Sequence, residues 1–92
     1  NKTTWSDEAF RIVGLRTGEI EPSIEAFLER VHPDDRRRVR AKTSRALADG
    51  VSFAFHHRLV LGDGSEKIVY QRGQPVKDER DRIVKLLGTV QD

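Results

Sequence analysis

The hydrophobic period of this chain changes at Gly50, and that single switch leaves few architectures open. Beyond it Phe53, Phe55, His57, Leu59 and Leu61 alternate with Ala54, His56, Arg58 and Val60, the period of two that fits a strand with one face covered. Gly62-Asp63-Gly64 supplies hairpin-turn chemistry, a second strand is expected over about residues 66 to 76, and a third over 82 to 90 after the polar turn Asp78-Glu79-Arg80-Asp81. That half of the chain reads as an antiparallel meander.

Before Gly50 the pattern is helical. Ser6 can cap a short helix whose first turn holds Asp7 and Glu8 and which continues through Phe10, Ile12 and Val13, and Gly14 and Gly18 break it. Ser23 can cap a second helix with Ile24, Phe27, Leu28 and Val31 as its apolar stripe, and Pro33 stops that one. Asp34 is the expected cap of a third helix over residues 35 to 48, which buries Val39, Thr43, Ala46 and Leu47 and ends at Gly50. Arg36 falls on the flank of the buried stripe, where its stem can pack and its guanidinium can reach a carboxylate or water. Helices grouped before strands argue an α+β fold, an antiparallel sheet with short helices on one face.

Ninety-two residues make one domain, with no internal repeat. The chain has no apolar run of membrane-spanning length and no cysteine, which excludes a disulfide framework, a thiolate nucleophile and a cysteine-linked chromophore. Its net charge of +2 is unevenly distributed, with −3 over residues 1–29, +5 over 30–45 and 0 over 46–92. The basicity is therefore one local feature.

Each motif with residues suited to chemistry has a structural reading that outweighs it. His32-Pro33-Asp34-Asp35 gathers an imidazole and two carboxylates, but a helix stop followed by a capped helix start explains the same residues. His56 and His57 are neighbours in a strand and point to opposite faces, so they cannot share a metal. His57 sits on the apolar face as a core histidine with one hydrogen bond, or as the polar group of a pocket. Arg36, Arg37, Arg38, Arg40, Lys42 and Arg45 form a basic cluster without interleaved aromatic residues, which favours a solvated helix face over a nucleic-acid site. Gly62-Asp63-Gly64 lacks the spacing and following helix of a phosphate-binding loop. No catalytic constellation and no metal site emerges.

The residues nevertheless resemble a known family. Trp5-Ser6-Asp7-Glu8, Val31-His32-Pro33-Asp34-Asp35-Arg36, Phe55-His56-His57-Arg58-Leu59-Val60 with Asp63-Gly64, Pro75-Val76-Lys77-Asp78, and Leu87-Gly88-Thr89-Val90-Gln91-Asp92 are similar, in order and spacing, to PAS domains of bacterial sensor histidine kinases and diguanylate cyclases. Two residues depart from the pattern: Ile68 stands where an aromatic is usual, and Asp81 stands where a turn glycine is usual, a position Asp can also hold in the left-handed conformation. Compared with that family, residues 1–92 are expected to form a single PAS (profilin-like) domain without its first strand and without a C-terminal linker helix, leaving an unpaired edge beside the last strand.

The resemblance implies a sensory or signal-relay module of a larger bacterial protein, with a histidine kinase or cyclic-dinucleotide enzyme as the catalytic part elsewhere. Three functions are in play: binding a small ligand or passing conformational change to an output domain, ligand-free dimerisation, and basic nucleic-acid binding, which the residues disfavour. Alignment with flavin-binding light-oxygen-voltage relatives puts Leu59, Val69, Gln71 and Val90 inward. Alternation adds Phe55, His57 and Leu86, and the helices add Phe27, Val31 and Val39, for a mostly apolar pocket with His57 and Gln71 as its polar groups. Flavin and haem are not expected. Leu59, Val69 and Val90 replace the amides of flavin binders, and the third helix has no histidine for iron. On the other sheet face Val60, Ile68, Tyr70, Ile83 and Leu87 make a five-residue apolar patch, which predicts a homodimer. The expected location is cytoplasmic, with a parent protein that is soluble or membrane-anchored.

Overall fold

The computed structural model describes residues 2–92. Its elements run β1 (Lys2–Trp5), α1 (Asp7–Ile12), α2 (Ile24–Leu28), a 3-10 turn (Pro33–Asp35), α3 (Arg36–Asp49), β2 (Phe53–Val60), β3 (Glu66–Lys77) and β4 (Ile83–Gln91). The strands form one sheet in the order β1-β4-β3-β2. β2, β3 and β4 are the expected meander. β1 is an addition: it lies parallel to β4, pairing Thr3 with Leu86 and Trp5 with Gly88. The edge expected to be open beside the last strand is therefore occupied, and the sheet is mixed rather than wholly antiparallel.

Capping chemistry sets the short helices. The Ser6 and Ser23 hydroxyls accept hydrogen bonds from the amides of Ala9 and Ala26 at 3.1 and 3.0 Å. α2 ends one turn earlier than its apolar stripe suggests. Val31 lies beyond the helix in an isolated antiparallel bridge with Leu59, held by His32 N–H to the Arg58 carbonyl at 3.0 Å and Val60 N–H to the Arg30 carbonyl at 2.8 Å. Spacing alone does not separate a third helical turn from one residue of strand with the same inward side chain.

The start of α3 also departs from expectation. The His32 Nδ1 accepts from the Asp34 amide at 3.1 Å and so caps the 3-10 turn, and no side chain caps α3. Asp35 turns instead to β2: its carboxylate accepts from the Arg58 amide at 2.8 Å, from Nε at 3.1 Å and from Nη2 at 3.0 Å. A two-pronged guanidinium contact outcompetes a cap bond. Arg36 reaches the carbonyls of Val31 and Glu29, at 3.0 and 3.4 Å, rather than a carboxylate. Gly50 ends α3 in the left-handed conformation at φ 71°, and Asp81 takes φ 63° in the β3–β4 turn. That turn is tied by the Asp78 carboxylate to the amides of Arg80 and Arg82.

The core fills the space between the sheet and the helices. Val31, Leu59 and Val69 are completely buried, Val39 nearly so, and Ala9, Ile12, Phe27, Leu28 and Val90 pack around them.

Candidate functional site

The inward sheet face places one polar pair in this apolar core. His57 on β2 and Gln71 on β3 are both buried, with His57 Nε2 2.9 Å from Gln71 Oε1 and His57 Nδ1 3.2 Å from the Arg58 carbonyl. A neutral imidazole has only one N–H for these two contacts. The neutral arrangement that satisfies both has Nδ1–H donating to the carbonyl and the Gln71 NH2 donating to Nε2, with the amide turned end for end. Burial holds the His57 pKa below its usual value, against the opposing effect of the two hydrogen bonds. The Phe27 and Phe55 rings close over the imidazole at 5.6 and 5.4 Å.

Gln71 also borders a cavity of about 30 Å³, room for about one water molecule. Of the residues expected to line a pocket, Phe27, Gln71, Leu86 and Val90 border it. Leu59, Val69, Val31 and Val39 do not, because they are spent on solid packing. His57 stands behind Gln71, and Phe55 lies toward the surface beneath α3, with the Arg38 guanidinium 5.1 Å and the Lys42 ammonium 5.7 Å from its ring centre. The rest of the lining was not anticipated, and it includes Trp5 and Thr3 from β1, Thr43 from α3, and Phe53 with Gly73.

Phe53 and Gly73 explain why the cavity is small. A Cβ on Gly73 would lie 2.2 Å from the Phe53 ring, so the ring occupies the space that the glycine leaves open. The paired register of Phe53 and Gly73 carried this signal in the sequence, but it becomes visible only once the register is known.

The outer sheet face differs from its expected form. Ile68 is 67% and Leu87 37% exposed, Val60 is half-buried, and Tyr70 is half-buried beside the His56 ring at 4.8 Å. Ile83 is not on this face. A register shift at Val76/Lys77 pairs Lys77 with Ile83 and leaves Val84 as the extra residue. One inserted residue reverses the side of everything before it, and the Ile83 Cδ1 lies 3.6 Å from the Cβ position of Gly50 at the end of α3. The remaining four apolar residues are interrupted: Ile68 pairs with Arg58, and Leu87 with Gln74.

The sequence profile of a family described as the PAS fold matches residues 2–90. The chain belongs to the PAS family. The PAS domain is 30% identical over 89 residues to the sensor protein FixL of Bradyrhizobium diazoefficiens, a match covering 96% of this chain and 17% of FixL. Among solved structures it is similar to an RNA-binding light-oxygen-voltage receptor, with a TM-score of 0.77, 25% identity, and coverage of 95% of this chain and 24% of the receptor chain. A sensory box histidine kinase/response regulator from Burkholderia thailandensis gives a TM-score of 0.70 and 25% identity over 95% of this chain and 64% of that one. The domain is a sensor module of signal transduction, of the kind that sits beside output domains in one chain, and is sensory rather than catalytic in itself. No helix among the described residues is long and apolar enough to cross a membrane.

Proposed function

We propose that residues 1–92 form one cytoplasmic sensing domain within a larger bacterial signalling protein. It takes a small uncharged molecule into the cleft beside Gln71 and passes the resulting change in helix packing to an output domain, a histidine kinase or a cyclic-dinucleotide enzyme. The observation that carries this reading is the buried His57–Gln71 pair, with Gln71 at the wall of a cavity whose lining includes the Phe53 ring packed over Gly73. In the neutral arrangement the Gln71 carbonyl is left as an acceptor toward the cleft, which favours a ligand with an N–H or O–H donor. Entry requires the Phe53 ring to leave the space above Gly73, and ligand affinity for the open form sets how far the population shifts.

Native mass spectrometry of protein purified from cells tests this. A retained small-molecule mass that disappears in Gln71→Leu supports the cleft as the site. Protein free of ligand in every preparation, with no melting shift across a panel of small hydrogen-bond donors, would leave the domain as a relay or dimerisation module. The exposure of Ile68 supports that second reading, in which two copies meet through the outer sheet face.

A further inference from the structure

The sheet has an open edge at β2, and half of it is already used. Arg58 N–H is taken by the Asp35 carboxylate and Arg58 C=O by His32 N–H, Val60 N–H by the Arg30 carbonyl, and His56 C=O by Arg38 Nη2 at 2.7 Å. The period of two that points these groups outward also points Ala54 N–H, Ala54 C=O and His56 N–H out of the same edge. Among the described residues no further hydrogen bond from outside the sheet ends on them.

Beside this free stretch runs a basic stripe of α3. Arg38, Ala41, Lys42 and Arg45 form one stripe of α3, and with Val51, Ser52 and Phe53 they line a groove of about 240 Å³. Arg38 lies at His56, and the groove brings Arg45 to Val51 and Ser52, so the stripe follows the edge along its length. The small Ala41 leaves room at its middle. Asp49 answers one of these charges, at 3.9 Å from Arg45, and Arg38 and Lys42 keep a net positive field.

We propose that this stretch is a docking edge for an extended acidic peptide, which adds to the sheet as a further strand beyond β2. Main-chain bonds to Ala54 and His56 hold its backbone, and carboxylates at every second position meet Arg38, Lys42 and Arg45. Alternate residues of a strand stand ~6.7 Å apart, close to the ~6 Å rise from Arg38 to Lys42 along the helix. A nucleic acid fits less well. The Phe55 ring is already engaged by two cations, and the other aromatic at the groove, Phe53, packs its ring over Gly73, so neither ring is a free platform for a base.

The test uses the 92-residue chain and a fluorescent peptide of about eight residues alternating Glu and Val, with a control of the same charge interrupted by prolines. Anisotropy is expected to show binding of the first peptide and at least about fivefold weaker binding of the control. Lys42→Glu with Arg45→Glu is expected to weaken the first peptide by roughly tenfold or more. Ala54→Pro removes only an edge amide, leaves the ladder to β3 intact, and is expected to weaken it about fivefold. Slower hydrogen exchange at the Ala54 and His56 amides when the peptide is added reports the same contact without any substitution. Equal binding of peptide and control, no binding, or no protection of those amides overturns the proposal, and tighter binding of an oligothymidylate of equal charge would reassign the groove to nucleic acid.

Discussion

Asp35 is the clearest case of one side chain deciding local structure. Its hydrogen bonds from Arg58 lower its pKa to about 2, so the folded form holds the carboxylate charged well below the pH where an unfolded Asp protonates, about 3.9. The stabilisation is complete above that value and is lost as pH falls from about 4 toward 2. Discounted for the exposure of Arg58, Asp35→Asn is expected to cost about 1 to 2 kcal/mol at neutral pH and to flatten the loss of stability below pH 4, as read by urea unfolding across pH. His57 acts at higher pH. Its folded pKa is depressed by burial, so the unfolded chain binds the proton more readily, and stability is full above about pH 6.5 and declines as pH drops below it. A melting temperature that falls between pH 7.5 and 5, and falls less in His57→Gln, is the expected result, whereas parallel curves would show that this ring does not carry the pH response. The inward direction of His57 was legible in the alternation of its strand. Its bond to Gln71 was not, because strand alternation fixes a face while only the β2–β3 register fixes the neighbour, and the Asp35–Arg58 contact joins positions with no local pattern in common.

At the scale of elements, Phe53 and Gly73 test whether strand register holds the cleft shut. A methyl group on Gly73 meets the Phe53 ring at 2.2 Å, and the ring must swing out or the strands must part. Gly73→Ala is expected to lose about 1 to 3 kcal/mol. Adding Phe53→Ala is expected to return part of that loss, because the clash is gone, so a double-mutant cycle by urea unfolding should be strongly non-additive. Additive losses would mean that the ring does not close the cleft. The meander, Ser6, Ser23 and the left-handed Gly50 and Asp81 were readable because each rests on local chemistry. β1 was not, since Lys2-Thr3-Thr4-Trp5 has little apolar alternation and is held by backbone pairing to a strand at the far end of the chain. The bulge at Val84 was equally silent: it lies next to the turn that Asp78 ties together, and it moved Ile83 from one face to the other.

For the whole molecule the open question is what the outer face meets. The helices cover the inner face and β1 closes one edge, leaving Val60, Ile68, Tyr70 and Leu87 on a sheet surface crossed by Arg58 and Arg72. A standard interface removes about 800 Å² from each partner, roughly a seventh of the 5916 Å² that this chain exposes, and one four-stranded sheet face is about large enough to supply it. A two-fold contact centred on Ile68 and Tyr70 buries those two side chains, with Arg58 opposite Ile68 and Arg72 between Tyr70 and Leu87 as charges that the contact has to accommodate. With four interrupted apolar residues in place of a continuous five, the dimer is expected to be weaker than the sequence alone implied. Sedimentation velocity should show dimer growing from low micromolar concentration upward, and Ile68→Glu or Tyr70→Glu should return the protein to monomer, while Lys42→Glu with Arg45→Glu, on the other side of the sheet, leaves the dimer in place. A protein that stays monomeric to about 100 μM, far above the dissociation constants of most specific interfaces, would assign the outer face to another part of the signalling protein instead of a second copy.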